Sequence, residues 1–186
     1  MGHGGSVIAE LMADHREVEE MFEKVLALPP GDDGRRKLAD EITIELVRHS
    51  VAEEQYLYPA VREHVPGGGP MADKELADHA EVERLLKELE GTDPAEDRFD
   101  EIIRKVVADV REHIADEEGT LFPALGDVCS ADELNDLGDR IRAAKKLAPT
   151  RPHPGAPDTP PANKLLAPGA GLVDRARDLV TGRGRS

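Results

Sequence analysis

Residues 49–60 read His-Ser-Val-Ala-Glu-Glu-Gln-Tyr-Leu-Tyr-Pro-Ala, and residues 113–124, 64 positions later, read His-Ile-Ala-Asp-Glu-Glu-Gly-Thr-Leu-Phe-Pro-Ala. Each copy sets a histidine four residues before a Glu-Glu pair and closes on Leu-aromatic-Pro-Ala. A residue and its i+4 neighbour share one helix face, roughly 5–6 Å apart at Cβ. His49 with Glu53, and His113 with Glu117, can therefore grip a cation together. The repeat extends backwards. Ala13-Asp14-His15-x-Glu17-Val18-Glu19 returns as Ala77-Asp78-His79-x-Glu81-Val82-Glu83, and in each copy the first histidine precedes the second by 34 positions. Imidazole and carboxylate are side chains that bind transition metals. Two helical hairpins, each with one such set, can fold together around a shared metal centre.

Helical periodicity dominates the chain and the strand signal is weak. The spacing predicts an all-α, up-down-up-down four-helix bundle. The first helix runs from Ser6, its N-cap, to Leu28, with Ile8, Leu11, Val18, Phe22 and Val25 on its apolar stripe. Pro29-Pro30-Gly31 ends it. The second begins near Gly34 and ends before Pro66. Ile42, Leu46, His49, Glu53 and Tyr56 share one of its faces, and Pro59 predicts a kink or an early end. Pro66–Pro70 joins the halves. The third helix spans Met71 to Glu90 and stops at Gly91. The fourth takes Asp93 as N-cap and Pro94 as first residue, and carries Ile102, Val106, Asp109, His113 and Glu117, with Pro123 repeating the Pro59 device. Ser130 and Glu133 fit a capping box that opens a short fifth helix to Leu147. The expected organisation is a metal-binding bundle over 1–128, an accessory helix over 129–148, and a Pro-rich linker with a basic amphipathic tail over 149–186.

Composition narrows the function classes. With 24 Lys+Arg against 39 Asp+Glu the chain carries a net charge of −15, which argues against nucleic-acid binding by the bundle. One cysteine, Cys129, excludes an intrachain disulfide framework. No stretch is apolar enough for a transmembrane span and the N-terminus lacks a signal pattern, so a cytoplasmic location is expected. Seven of the 14 prolines lie between Pro149 and Pro168, which reads as an extended, disordered linker. Beyond it Leu172, Val173, Ala176, Leu179 and Val180 lie on one side of a last segment. Residues 149–186 hold six Arg/Lys and three Asp. A basic tail beside an acidic body suits a mobile extension, or one that meets a protein partner or an anionic surface.

In a bundle whose hairpins pack as repeats, His15, His49, Glu53, His79, His113 and Glu117 project inward at one level. If Glu53 and Glu117 each bridge, each of two metals receives two imidazoles and two carboxylate oxygens, and one position stays open for O2, peroxide, nitric oxide or water. Such a set suits iron, with manganese and zinc as alternatives; the lack of thiolate disfavours a structural zinc knot. Glu19 and Glu83, at i+4 from His15 and His79, are candidate extra ligands or acceptors for an imidazole N–H, or solvated edge residues. Tyr56 is a candidate oxygen-species partner, or core packing; its repeat equivalent is Thr120. Glu54 and Glu118 turn away by about 100° and are expected in solvent, Glu118 being a substitute for Glu117. His3, His64 and His153 have no such partners and are expected on the surface or in the tail.

The pattern H…HxxxE…H…HxxxE, with EExxLYP and EExxLFP after the carboxylates, resembles the hemerythrin-like HHE cation-binding family over residues 6–126. The resemblance implies a non-haem di-iron centre, oxo- or hydroxo-bridged, on the same six residues. It also implies roles in binding or sensing O2, in handling peroxide or nitric oxide, or in iron homeostasis. Oxygen-carrying hemerythrins have a second histidine where this chain has Glu83, and place the fourth helix's carboxylate five residues past its histidine, where this chain has Glu118. A carboxylate-richer set favours the ferric state. Catalase-like peroxide turnover is therefore expected over reversible O2 carriage, with a non-catalytic sensor module as the alternative.

Overall fold

Ser6 opens the first helix, accepting a hydrogen bond from the Ala9 N–H at 3.3 Å. In the computed structural model, which describes residues 4–183, this helix, α1, covers Val7–Ala27. Asp32 caps the next in the same way, 2.7 Å from the Gly34 N–H, and α2 runs Asp33–Ala52. A five-residue π turn, Glu53–Leu57, carries it without a break into α3, Tyr58–His64. The second half repeats the plan: α4 is Gly68–Gly91, α5 is Asp97–Asp116, a π turn covers Glu117–Leu121, and α6 is Phe122–Val128. Gly68 lets α4 begin against α3, since a Cβ there would stand 2.2 Å from the Val61 carbonyl oxygen. The architecture is the expected helical bundle, and every regular element among the described residues is helical.

Three local features differ from the sequence expectation. Pro59 and Pro123 do not end their helices, which continue to His64 and Val128. A proline removes one backbone donor and clashes with the carbonyl of residue i−4. The π turn just before it widens the helix, so that the Tyr58 and Phe122 N–H groups bond to the Glu53 and Glu117 carbonyls instead. The fourth bundle helix starts at Asp97 rather than Pro94. Asp93 Oδ1 accepts from the Ala95 N–H at 2.9 Å, and the Glu96 N–H closes a turn on the Asp93 carbonyl. The proline-rich stretch is not a free tail either. After the capping-box helix α7, Ala131–Leu147, residues 149–161 run as a strap, and a further helix, α8, covers Ala162–Thr181.

Polar anchors explain why the strap is held. Asp174 accepts from the Thr150 and Arg151 N–H groups at 3.2 Å each. Arg151 bridges Glu90 and Asp178 at 2.8 and 2.7 Å, and Arg183 reaches Asp40 at 3.1 Å. The basic extension thus closes on carboxylates of the acidic bundle. Gly171 allows the close crossing, its missing Cβ lying 2.3 Å from the Leu147 carbonyl oxygen. The narrow polar face of α8, with Asn163, Asp174 and Asp178, is buried, whereas Leu172, Val173, Leu179 and Val180 face outward.

The apolar core is two layers. One contains Phe22, Ile42, Leu85, Leu89, Phe99 and Ile103; the other contains Leu11, Leu57, Val61, Leu121, Leu125 and Ile141. Between them, on all four bundle helices, lie the histidines and glutamates of the repeat.

Candidate metal centre

Helix spacing sets the frame. His49 and His113 stand one α turn before Glu53 and Glu117, and the π turns begin at those glutamates. His15 and His79 come from the facing helices α1 and α4. All six side chains are buried, Glu53 and Glu117 completely. They form two adjoining groups able to hold a metal ion, His15-His49-Glu53-Glu117 and Glu53-His79-His113, with Glu53 common to both. Glu53 Oε1 lies 3.0 Å from His49 Nε2, and its Oε2 lies 3.4 Å from His79 Nε2. Glu117 Oε2 is 3.3 Å from His15 Nε2 and 3.5 Å from His113 Nε2. Despite this proximity, His15 Nε2, both Glu53 oxygens and Glu117 Oε2 are buried without a hydrogen-bond partner. Orphaned buried polar atoms are rare and costly. Imidazole nitrogens and carboxylate oxygens brought this close, several of them outside hydrogen-bond geometry, are a donor set that fits cations.

The outer nitrogen of every ring meets a carboxylate. The Nδ1–H groups of His15, His49 and His79 donate to Glu118, Asp14 and Glu54 at 2.9, 3.2 and 3.1 Å. His113 Nδ1 stands 2.8 Å from Glu75. Such partners fix the tautomer and turn Nε2 inward. Two are themselves anchored by cations, Asp14 by Lys145 of α7 at 2.5 Å and Glu118 by Arg16 at 2.5 Å.

These charges shift the titration of the buried groups. Burial alone would depress the His79 pKa, but the carboxylates of Glu53 and Glu54, close to its two ring nitrogens, raise it to about 10. His49 is raised for the same kind of reason, Glu53 and Asp14 outweighing burial. Glu53 is held well below the usual carboxylate range because His49 and His79 overcome its burial. Burial, then Glu117 and Glu53, push the Tyr58 phenol well above its ordinary value.

Tyr58 is the residue that α-helical spacing does not reveal. Its hydroxyl lies 3.0 Å from His79 Nε2 and donates to Glu117 Oε1 at 3.2 Å. The matching position in the other half is Phe122, whose ring stacks on His15 at 5.8 Å and 8°. The two groups are therefore unequal. Tyr56 is elsewhere, beneath the Lys164 ammonium at 4.1 Å. In a π turn the residue that returns to the face of Glu53 is five positions on, not three or four, which substitutes Tyr58 for Tyr56. Glu19 also leaves the site, pairing with Arg111 on the surface. Glu83 accepts the His153 N–H at 2.8 Å. Glu54 and Glu118, expected in solvent, instead hold His79 and His15. His64 is exposed beside Glu63 and His153 pairs with Asp174; His3 lies outside the described residues. The repeated Glu-Glu doublets and Leu-Tyr-Pro/Leu-Phe-Pro endings are the sequence signal for these missed residues.

The description hemerythrin HHE cation binding domain matches residues 6–125, the span that carries all six side chains. The chain belongs to the hemerythrin HHE cation-binding domain family. Relatives extend the comparison beyond the HHE domain. An uncharacterized hemerythrin-like protein of Schizosaccharomyces pombe is 26% identical over 171 residues, 91% of this chain and 84% of that protein. A DNA nickase of Nostoc is 30% identical over 135 residues, 71% of this chain but 37% of the nickase. The crystal structure of an HHE cation-binding domain-containing protein from Mycobacterium kansasii superposes with a TM-score of 0.67 at 24% identity, covering 76% of this chain and 85% of that one.

Proposed function

We propose that this HHE domain is a non-haem di-iron protein that reacts with O2-derived species, with peroxide turnover as its leading activity. The observation that carries the reading is Glu53, whose two unpartnered oxygens reach separate histidine groups. His15 and His49 would hold one iron, His79 and His113 the other, and Glu53 and Glu117 would bridge them. When bound, the pair supplies redox equivalents and exchangeable positions for peroxide, O2 or nitric oxide. Iron is favoured over manganese and zinc by the mixed imidazole and carboxylate set together with a phenol at its edge.

The chain's own groups set the selectivity. A cavity of about 30 Å³ adjoins the four histidines, walled by Val18, Leu46, Val82, Val110 and Ile114. One water needs roughly 10–15 Å³ by this measure, so the space fits a molecule of two heavy atoms. Tyr58 keeps a proton at its phenol oxygen, within reach of Glu117 and His79. The carboxylates behind each ring hold Nε2 toward the centre.

The test is elemental analysis with a visible spectrum, followed by a peroxide assay. About two irons per chain are expected, a band that shifts on adding azide, and turnover lost in His49→Ala and His113→Ala. Less than one iron per chain, or turnover unchanged in both variants, defeats the proposal. The outward apolar face of α8 favours a second reading, a sensor whose C-terminal helix meets a protein partner. Leu172→Lys with Leu179→Lys should then abolish a partner complex while leaving peroxide turnover intact. DNA nicking forms no part of the proposal, because a net charge of −15 opposes a polyanion.

A further inference from the structure

Lys145 is a buried cation that the proposed chemistry does not use. Its side chain is 10% exposed, and burying a charge is costly unless it is paired. It lies on α7, beyond residue 125, where the HHE match ends. Two neighbours on α7 set its place against α1. Gly138 leaves no room for a Cβ, which would stand 2.6 Å from the Gly5 carbonyl oxygen. Arg142 donates to that same carbonyl at 3.1 Å and to Glu10 at 3.3 Å. Three residues further on, Lys145 donates to Asp14 Oδ1 at 2.5 Å and stands 3.6 Å from Glu10.

Asp14 is shared between this lysine and the metal layer. Its other oxygen, Oδ2, accepts from His49 Nδ1 at 3.2 Å, and His49 Nε2 faces Glu53. A line of contacts, Lys145–Asp14–His49, thus runs from outside the repeat to a candidate ligand. The second half is built differently. Lys74 stands at the place of Glu10 and Asp78 at that of Asp14, and the two pair within one turn of α4 at 2.7 Å. His113 is backed by Glu75, at the place of Leu11. The first half therefore has no lysine one turn before its aspartate, and α7 supplies one. Arg142 and Lys145 balance Glu10 and Asp14 in charge. What Lys145 adds is a fixed direction for Asp14 rather than repulsion of a cation.

We propose that Lys145 is a positioning residue of the metal centre, pinning Asp14 so that His49 keeps Nε2 toward a bound ion. The inference rests on the metal-centre reading given above. It makes α7 part of the centre's support as well as of the bundle's packing.

Cobalt(II) is the probe, titrated into the metal-stripped full chain against a chelator. Its visible absorption reports the ligand set and not turnover. Lys145→Met and Lys145→Gln each keep a stem and remove the ammonium, with circular dichroism reporting the fold. Cobalt affinity should fall about tenfold, the lower end for loss of support behind a metal-bound imidazole, and the cobalt band should change shape. Lys145→Arg should restore most of the affinity. Arg142→Met breaks the neighbouring tie between α7 and α1 without touching Asp14, so cobalt affinity should stay unchanged. In an Asp14→Ala background, Lys145→Met should cost nothing further, since the lysine acts through that carboxylate. Unchanged or tighter cobalt binding in folded Lys145→Met, an equal loss in Arg142→Met, or a full further loss in the Asp14→Ala background would overturn the proposal. Failure of both Lys145→Met and Lys145→Gln to fold would also overturn it, leaving the lysine a structural role alone. A chain that binds neither cobalt nor iron defeats the metal-centre reading itself, whereas cobalt bound equally with and without the ammonium defeats only the role of Lys145.

Discussion

His79 is held from both ends, by Glu54 at its outer nitrogen and by Glu53 and Tyr58 at its inner one. Removing an outer carboxylate of this kind costs metal affinity on the order of 10- to 100-fold. Glu54→Gln should show such a loss in a metal-chelator competition titration, while Glu83→Gln, whose carboxylate faces the strap, should leave affinity unchanged. Tyr58→Phe, which removes the hydroxyl that donates to Glu117, should slow peroxide turnover about 10-fold or more and leave the iron content intact; Tyr56→Phe should alter neither. The charges around His79 also set a pH dependence. Its folded pKa of about 10 lies above the ordinary 6.5, so in metal-stripped protein its protonation stabilises the fold fully below pH 6.5. That contribution is lost as the pH rises toward about 10. Urea melts should therefore show metal-stripped protein weakening across this window. Metal-loaded protein should not weaken, because its imidazole gives up the proton on binding. A flat profile for the stripped protein would refute the assignment.

The π turns are where helix geometry and chemistry meet. Ordinary α spacing brings His49 and Glu53 onto one face, and this much is legible from position alone. The wider turn that follows then swings Tyr58 onto that face and Tyr56 out to Lys164. Pro59 and Pro123 mark an irregularity in the sequence but do not state its form, since a kink, a stop and a π turn all relieve the same lost donor and clash. The structure takes the third form, and each helix runs on through its π turn. Deleting Gln55 should restore α geometry while keeping Tyr58 on the face of Glu53, now four positions on. Iron per chain and helical circular dichroism should therefore both persist in the deletion variant; loss of iron from a folded deletion variant would count against this account of the turn.

The bundle encloses a charged layer between two apolar ones, an arrangement that is costly unless the layer holds a counter-charge. Chelation should lower the thermal midpoint by several degrees, since about 1 kcal/mol corresponds to roughly 2–4 °C in a domain of this size. Equal midpoints with and without chelator would show that binding is uncoupled from folding. The extension is the part of the chain where composition misleads: proline and charge suggest a free tail, yet Thr150 and Arg151 lock the strap to Asp174 and Asp178 of α8, and Arg151 and Arg183 pair with Glu90 and Asp40 of the bundle. The repeat alone is enough to single out four helices and the six inward side chains, because hydrophobic period and i, i+4 spacing are local quantities carried by neighbours along the chain. Which carboxylate backs each ring, which tyrosine faces the centre and which way α8 turns are fixed by packing. Each depends on the distance between segments far apart in the chain, and no local spacing encodes that distance.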